Sequence, residues 1–336
     1  MKAVAARNGR IIITELGEPE PASGHVLLRT EYSAVSPGTE LAMTARSGDQ
    51  PVVLGYSAVG IVERVGPGVH GIGPGDRLAC YGAPYVRHAE RLAVPVNLTA
   101  KVPEHVDPRE AAFAGLGAIA IHALRTAEPQ FGESVVVVGL GILGNLIAQI
   151  ANAAALRTAG IDVRAERAGS LRERGVRHVY TDPADLARDL PAITGGAGAD
   201  AVLLCAGGPG EALINQAMEW LRDRGKIVIV GDLSMSFSRA AMFDKEVQVL
   251  ISRAGGPGRY DAVYEKENKD YPIGYVRWTE GRNVAEFVRL LAEGRIAVAP
   301  LITHEVPLER AEEAYAACAQ GAPGAIGALL RYSPGS

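Results

Sequence analysis

The sequence predicts an α/β protein in which an antiparallel, barrel-like β domain is followed by a doubly wound parallel sheet. Up to residue 100, short β-branched runs alternate with Gly- and Pro-rich turns such as residues 66–68, a pattern typical of antiparallel barrels. From Ser134 onward, strands and helices alternate with short links, as in parallel sheets that carry helices on both faces. A length of 336 residues suits two domains.

Hydrophobic runs between chain-breaking residues predict the individual elements. Barrel strands are predicted at residues 26–30, 58–65 and 77–79, before an Ala- and Leu-rich helix at 111–126. Parallel strands are predicted at 135–138, 158–162, 201–205, 226–230 and 247–251, with helices at 145–156 and 211–222. A helix at 283–293, a strand at 301–304 and a helix at 308–320 follow.

Composition and charge argue against several classes of protein. An apolar content of 48% is ordinary for a globular chain, and a net charge of -4 without a basic run argues against a nucleic-acid partner. No apolar stretch reaches membrane-spanning length and the amino terminus is soon polar, so we expect a cytoplasmic protein without a membrane partner. Cys80, Cys205 and Cys318 lie too far apart for a disulfide framework or a metal-binding spacing.

A Gly-x-Gly-x-x-Gly turn follows the β-branched strand at 135–138 and opens a helix. In that context Gly139 permits the tight turn, Gly141 lets the backbone approach a pyrophosphate, and Gly144 lets the helix pack on the strand. The helix amino terminus then attracts the phosphates. The sequence therefore predicts a dinucleotide site that also includes Ile142 and Leu143.

The type of nicotinamide nucleotide depends on the residues after the second parallel strand. Asp162 ends that strand, at the position where an acid binds the ribose hydroxyls of NAD and repels the 2′-phosphate of NADP. Arg164 and Arg167 follow closely and could instead bind that phosphate. NAD(H) is the preferred prediction, NADP(H) is the alternative, and Arg253 is a further candidate for contact with the phosphates.

The order of these elements resembles the medium-chain dehydrogenase/reductase superfamily over essentially the whole chain. The matching signposts are residues 53–56, 75–77 and 301–304. The resemblance implies a GroES-like antiparallel β-barrel catalytic domain, built from residues 1–118 and 285–336, around an inserted Rossmann nucleotide-binding domain at 119–284. It also implies a homodimer.

More narrowly, the chain resembles a zinc-less branch that includes the dehydrogenase half of two-domain oxidoreductases from bacterial polysaccharide gene clusters. The segments that carry this resemblance are residues 35–40, 256–261 and 270–280. In the metal-dependent relatives, three side chains hold a catalytic zinc ion, and the matching positions here are Pro37, Tyr56 and Leu116. None of these is a Cys, His, Asp or Glu ligand, so we expect no zinc.

Without zinc, a hydrogen-bond donor must stabilise the negative charge that develops on the substrate oxygen during hydride transfer. Tyr56 stands at a zinc-ligand position, so we expect its hydroxyl to serve as that donor; the alternative is a merely packed aromatic ring. The resemblance implies that Thr39 is the proton-relay hydroxyl and Glu40 the acid behind it. Ser36, in the same turn, is expected to stabilise the turn.

The segment at residues 253–278 is rich in Arg, Tyr and Trp, side chains that suit a polar, ring-shaped ligand. It is predicted to form part of the substrate site; a dimer-interface loop is the alternative. The resemblance places His122 near the nicotinamide, although a structural histidine is the favoured alternative, and His88 is expected at the barrel rim. The remaining substrate candidates are Arg259, Tyr260, Tyr275, Arg277 and Trp278.

The functional hypothesis that joins these features is an NAD(P)-dependent oxidoreductase that interconverts a secondary alcohol and a ketone. The substrate would be polyhydroxylated: a sugar, nucleotide sugar, cyclitol or aminoglycoside intermediate in a biosynthetic pathway that includes a partner enzyme. An enoyl or quinone reductase is a second enzymatic alternative, although the Arg- and Tyr-rich segment argues against an apolar cleft. A non-catalytic nucleotide-binding accessory subunit is the alternative from another class.

Overall fold

The computed structural model describes residues 1–319 and 324–333 and divides the chain into two compact units. The first unit contains Met1–Ala118 and Gly255–Ser336, and the second contains Ile119–Ala254. The sequence-based boundary at residue 285 therefore needs correction, because residues 255–284 group with the barrel. The reason is apolar packing: Tyr264 and Tyr271 pack into the hydrophobic core of the first unit.

The first unit is built on two β-sheets. A three-stranded sheet has the order β2-β1-β4, and a seven-stranded sheet has the order β15-β16-β3-β5-β6-β8 with β7 paired to β3. The strands are β1 (Lys2–Arg7), β2 (Arg10–Glu15), β3 (His25–Ala34), β4 (Val52–Val53), β5 (Ser57–Val65), β6 (Arg77–Tyr81), β7 (Arg91–Pro95), β8 (Thr99–Lys101), β15 (Ile302–Pro307) and β16 (Gly327–Arg331). All of these strand pairings are antiparallel except that of β15 with β16, which is parallel. The antiparallel pairings agree with the predicted barrel-like domain.

The second unit contains a six-stranded parallel sheet with the order β11-β10-β9-β12-β13-β14. Its strands are β9 (Ser134–Val138), β10 (Arg157–Ile161), β11 (His178–Tyr180), β12 (Ala199–Leu204), β13 (Leu221–Ile229) and β14 (Gln248–Ile251). Strand order reverses between β9 and β12, which is the doubly wound arrangement. The predicted fold class is confirmed.

Helices surround these sheets. They are α1 (Pro37–Ala45), α2 (Pro108–Ala111), α3 (Ala114–Ala127), α4 (Ile142–Ala153), α5 (Ala165–Glu173), α6 (Pro183–Thr194), α7 (Glu211–Trp220), α8 (Arg239–Lys245), α9 (Ala262–Glu265), α10 (Glu280–Ala292) and α11 (Ala311–Ala319). Across residues 1–319 and 324–333, none is both long and apolar enough to cross a membrane.

Some element boundaries differ from the predictions. The predicted helix at 111–126 is two helices, α2 and α3. The predicted helix at 308–320 begins with a 3-10 turn, Leu308–Arg310, before α11, and Gln320 lies outside the described residues. Strand β16 was not predicted, since its pairing with β3 joins residues nearly a chain length apart.

Candidate functional site

The glycine turn of the second unit connects β9 to α4. All five residues of β9 are buried, so the strand reads as a continuous β-branched run. Gly139 adopts a φ of +87°, a conformation that favours glycine. A Cβ atom on Gly144 would lie 1.8 Å from the carbonyl oxygen of Gly139, so any side chain there would separate the helix from the turn. The predicted roles of these two glycines agree with this geometry.

The residues of the turn fit the pyrophosphate of a dinucleotide. Gly141 is the N-cap of α4 and provides no side-chain hydrogen bond to the helix, so the backbone N–H groups of the first turn, from Ile142, Leu143 and Gly144, have no side-chain cap. A Cβ atom on Gly141 would meet nothing nearer than the Arg167 guanidinium, 3.6 Å away. An anion at this helix terminus would meet backbone donors and no side-chain bulk.

Asp162, directly after β10, forms a hydrogen bond with the glycine turn. Its side chain is buried, and its carboxylate oxygens accept hydrogen bonds from the backbone N–H groups of Leu140 (2.7 Å) and Arg164 (2.9 Å). A carboxylate has further lone pairs, so it can still accept from a ribose hydroxyl. The sequence analysis anticipated only the ribose contact and missed the backbone contacts.

The three candidate arginines of the second unit differ in their surroundings. Arg167 Nη1 lies 3.7 Å from Asp162 Oδ2, and its buried Nε has no hydrogen-bond partner within the described residues. Arg164 is exposed at the N-cap of α5, and Arg253 is exposed two residues after β14. Arg167 is therefore the arginine that the structure brings to both the glycine turn and Asp162.

Tyr56 of the first unit lies beside the turn that opens α1. Its hydroxyl donates a hydrogen bond to Ser36 Oγ, and its side chain is partly exposed. Burial raises the pKa of Tyr56 to about 12, although hydrogen bonds with Ser36 and Thr39 oppose the rise. Tyr56 is therefore neutral at physiological pH. Because each hydroxyl can donate or accept, the Tyr56–Ser36 pair can direct a proton outward.

Glu40 is fully buried behind this turn, and its role as the acid behind the Thr39 hydroxyl stays a prediction. One of its oxygens accepts from the backbone N–H of Ser36 (3.1 Å), and the other contacts His88 Nε2 (3.0 Å) and accepts from the Tyr315 hydroxyl. His88 is itself fully buried, and its Nδ1 lies 2.7 Å from Ser33 Oγ. The expected place of His88 at the barrel rim is therefore wrong, since the ring anchors Glu40.

Tyr56 is the first of a series of aromatic and guanidinium groups that contact one another in the first unit. The Tyr56 and Tyr81 rings meet edge to face with centroids 5.9 Å apart. The Arg259 guanidinium carbon lies 5.9 Å from the centre of the Tyr81 ring and 4.2 Å from that of the Tyr260 ring. The Tyr260 ring is largely exposed. The structure thus brings two of the predicted substrate residues, Arg259 and Tyr260, together with Tyr56 in one unit.

The predicted contact between Arg259 and a substrate is not supported by its position, because its side chain is only 8% exposed. Its Nη1 donates to Glu265, and its Nη2 donates to the carbonyl oxygen of Ala83 at 2.7 Å. Nothing in the sequence indicated that a buried acid, Glu265, would bind the Arg259 guanidinium. A motif rich in Arg and Tyr predicts contacts with ligands and contacts within the protein equally well.

Glu280 is a second buried acid that sequence reasoning missed. It is fully buried at the start of α10, and neither carboxyl oxygen has a hydrogen-bond partner in the part of the chain that the structure describes. Burial raises its pKa to about 9 against the opposing influence of Arg259, and nearby Glu265 raises it further. Its position beside Thr279, the N-cap of α10, resembles an ordinary helix start, so the sequence contained no signal for it.

The other substrate candidates are dispersed. Tyr275 is 91% exposed, and the exposed Arg277 places its guanidinium carbon 3.8 Å from the centre of the Trp278 ring. Tyr264, from the same segment, is instead a core residue whose hydroxyl donates to Thr279. His122 is partly buried on α3, and burial followed by the charge of Arg125 lowers its pKa. The predicted substrate roles of these exposed residues and of His122 stay predictions.

The positions that match zinc ligands carry no ligand side chains. Pro37 begins α1, Leu116 is a buried residue of α3, and the Tyr56 hydroxyl is hydrogen-bonded to Ser36. Within residues 1–319 and 324–333, no group of three or more His, Cys, Asp or Glu side chains could hold a metal ion.

Both parts of the chain match known protein families. Residues 22–127 match the alcohol dehydrogenase GroES-like domain, and residues 139–267 match the zinc-binding dehydrogenase family. A sorbitol dehydrogenase of Halalkalibacterium halodurans is 24% identical over 350 aligned positions, which cover 93% of this chain and 94% of the relative.

Solved structures share the fold over nearly the whole chain. A protein named as a zinc-binding dehydrogenase of Sinorhizobium meliloti 1021, bound to NADP, has a TM-score of 0.77 and 22% identity, with 98% of each chain covered. An alcohol dehydrogenase of Escherichia coli CFT073 complexed with NADH has a TM-score of 0.79 and 18% identity, with 98% of this chain and 99% of that chain covered. Together with the two family matches and the full-length relative, this shared fold supports membership of the medium-chain dehydrogenase/reductase superfamily.

Proposed function

We propose that the protein is a nicotinamide-dependent oxidoreductase that interconverts a secondary alcohol and a ketone on a polyhydroxylated substrate without zinc. The observation that carries this proposal is the Tyr56 hydroxyl, which stands where metal-dependent relatives have a zinc ligand and is hydrogen-bonded to Ser36. The sorbitol dehydrogenase named above supports a polyol as the substrate class. Bound NAD(P) would supply the hydride acceptor or donor, held by the glycine turn and Asp162.

The role of this chain is then to bind the substrate oxygen and to move its proton. A neutral Tyr56 can donate a hydrogen bond to a ketone oxygen, and that bond strengthens as negative charge develops on the oxygen. In the direction of alcohol oxidation, Tyr56 accepts the alcohol proton as it gives up its own hydroxyl proton to Ser36 or Thr39, and the exposed Thr39 releases a proton to solvent water. Glu40 orients the turn through the backbone N–H of Ser36.

The proposal of zinc independence rests on the donor set, whereas the name of one matched family and that of one solved structure refer to zinc binding. Proline and leucine have no side-chain atom that can bind zinc, and tyrosine is not one of the usual Cys, His, Asp or Glu ligands. Zinc could not then act as the Lewis acid at this site.

The experiment that tests the function measures turnover of a panel of polyols, sugars and cyclitols with NAD+ before and after treatment with a strong chelator. We expect turnover of at least one polyhydroxylated alcohol, an unchanged rate after chelation, and no stoichiometric zinc by elemental analysis. About one zinc per chain, together with loss of activity on chelation, would contradict zinc independence alone. Turnover of enones or quinones only, or of nothing despite bound nucleotide, would favour the reductase or the accessory-subunit alternative.

Solved structures with this fold bind either NADP or NADH, so the fold alone does not select the nucleotide. We also propose that this chain uses NAD(H). The Asp162 carboxylate would repel a 2′-phosphate, so NADH is expected to bind about tenfold or more tightly than NADPH in a fluorescence titration. Asp162→Asn, which keeps one oxygen acceptor, should reduce the difference in affinity between NADH and NADPH. Tighter binding of NADPH by the wild-type protein would show instead that Arg164 or Arg167 binds the phosphate.

A further inference from the structure

We propose that Glu265 and Arg259 are positioning residues that hold the Tyr260 ring as a platform for a cyclic substrate, and that this platform selects rings over open chains. This inference rests on the proposed function and deepens it, because it names the substrate class within polyhydroxylated compounds. It concerns the first unit only.

The first observation is the backbone of Tyr260. Its φ is +68°, in the left-handed region that bulky side chains rarely adopt because it strains the backbone. The residue is nevertheless 58% exposed, so burial offsets little of this strain. A strained backbone that presents an exposed aromatic ring is more typical of a ligand-binding residue than of a packing residue.

The second observation is the group that keeps Tyr260 in this conformation. A single oxygen of Glu265, Oε1, accepts the backbone N–H of Tyr260 at 3.0 Å and also accepts from Arg259 Nη1. The guanidinium lies 4.2 Å from the centre of the Tyr260 ring, in a cation–π geometry. Glu265 is buried, so its two hydrogen bonds fix both the backbone of Tyr260 and the cation that faces the ring.

The third observation is the neighbourhood of the ring. The Arg259 guanidinium carbon lies 4.2 Å from the centre of the Tyr260 ring and 5.9 Å from that of the Tyr81 ring, and the Tyr81 ring meets the Tyr56 ring edge to face at 5.9 Å. A flat ring near the proposed donor hydroxyl suits the apolar C–H face of a sugar or cyclitol, whereas an open-chain polyol has no rigid face to pack on it. The ring would then contribute to binding, and Tyr56 would act on the oxygen.

The experiment measures binding by calorimetry, with the protein saturated with the nucleotide that it binds more tightly. The probes are myo-inositol and sorbitol, a ring and an open chain with the same number of hydroxyl groups. We expect wild-type protein and Tyr260→Phe to prefer the ring by about tenfold. Tyr260→Ala and Glu265→Ala should bind both probes about equally while they retain nucleotide affinity.

Glu265→Ala leaves the buried Arg259 unpaired and can destabilise the fold. Arg259→Lys provides the second variant, since it keeps the charge next to Glu265 but loses the planar group that faces the ring. Glu267→Ala, which removes an exposed acid two positions away, is the matched control and should keep the ring preference.

Equal binding of the two probes by wild-type protein, or no binding of either, would overturn the inference. So would a full ring preference in a folded Glu265→Ala variant or in Arg259→Lys. A ring preference that depends on these residues, without turnover of any alcohol, would instead contradict the proposed function and leave the inference in place.

Discussion

Tyr56→Phe is expected to lower kcat by about 10²-fold or more, with little change in nucleotide affinity. The substitution removes one hydroxyl and keeps the ring, so the edge-to-face contact with Tyr81 should survive. The lost hydrogen bond is worth most when charge develops on the substrate oxygen, and for that reason kcat should fall more than KM rises. Steady-state kinetics on the best substrate of the panel would measure both constants.

Tyr180→Phe is a matched control, because Tyr180 belongs to the second unit and its hydroxyl donates a hydrogen bond to the Asp189 carboxylate. It should leave kcat within about twofold of the wild-type value, as surface substitutions usually have small effects. Near wild-type turnover by Tyr56→Phe would show that Tyr56 is a packing residue. Thr39 would then be the next donor to test.

The free energy of unfolding should fall as the pH rises from about 4.5 to about 9, and Glu280 should account for a large share of the slope. Burial raises the pKa of Glu280 in the folded protein to about 9, whereas in the unfolded chain the pKa returns to its ordinary value of 4.5. Between these values the folded state keeps a proton that the unfolded state releases. Its stabilising contribution is therefore complete below pH 4.5 and is lost as the pH rises towards 9.

Glu280→Gln removes the ionisable group and retains the size of the side chain. Across this window, the free energy of unfolding of the wild type should fall more steeply than that of the variant, by up to about 1.4 kcal/mol per pH unit. Chemical denaturation at several pH values gives the two slopes. The slopes matter more than the absolute stability, since a buried amide with unsatisfied N–H groups has its own cost of about 1–3 kcal/mol.

Glu312→Gln, at an exposed position of α11, is the control for the loss of one carboxylate and should leave the slope unchanged. If Glu280→Gln and the wild type showed the same pH dependence, Glu280 would be ionised in the folded protein. Glu280 would then form an ion pair with the Arg259 guanidinium, which also pairs with Glu265.

Local patterns in the sequence were sufficient to predict the glycine turn of the second unit and most strands of its parallel sheet. A buried strand such as β9 needs a continuous β-branched run, and a turn that brings a helix onto that strand needs glycine at fixed spacing, as at Gly139 and Gly144. These constraints act between residues that are close in the chain. They therefore leave a mark in the sequence that can be interpreted without the fold.

The tertiary structure alone decided how the charged residues of the first unit are used. Arg259 and His88 were predicted to face a ligand, yet Glu265 and Glu40 hold them inside the protein. The hydrogen bond between His88 and Glu40 joins residues 48 positions apart, and that between Tyr315 and Glu40 joins residues 275 apart. A polar side chain has the same sequence signature whether its partner is a substrate or a distant buried acid, so only the folded chain distinguishes the two.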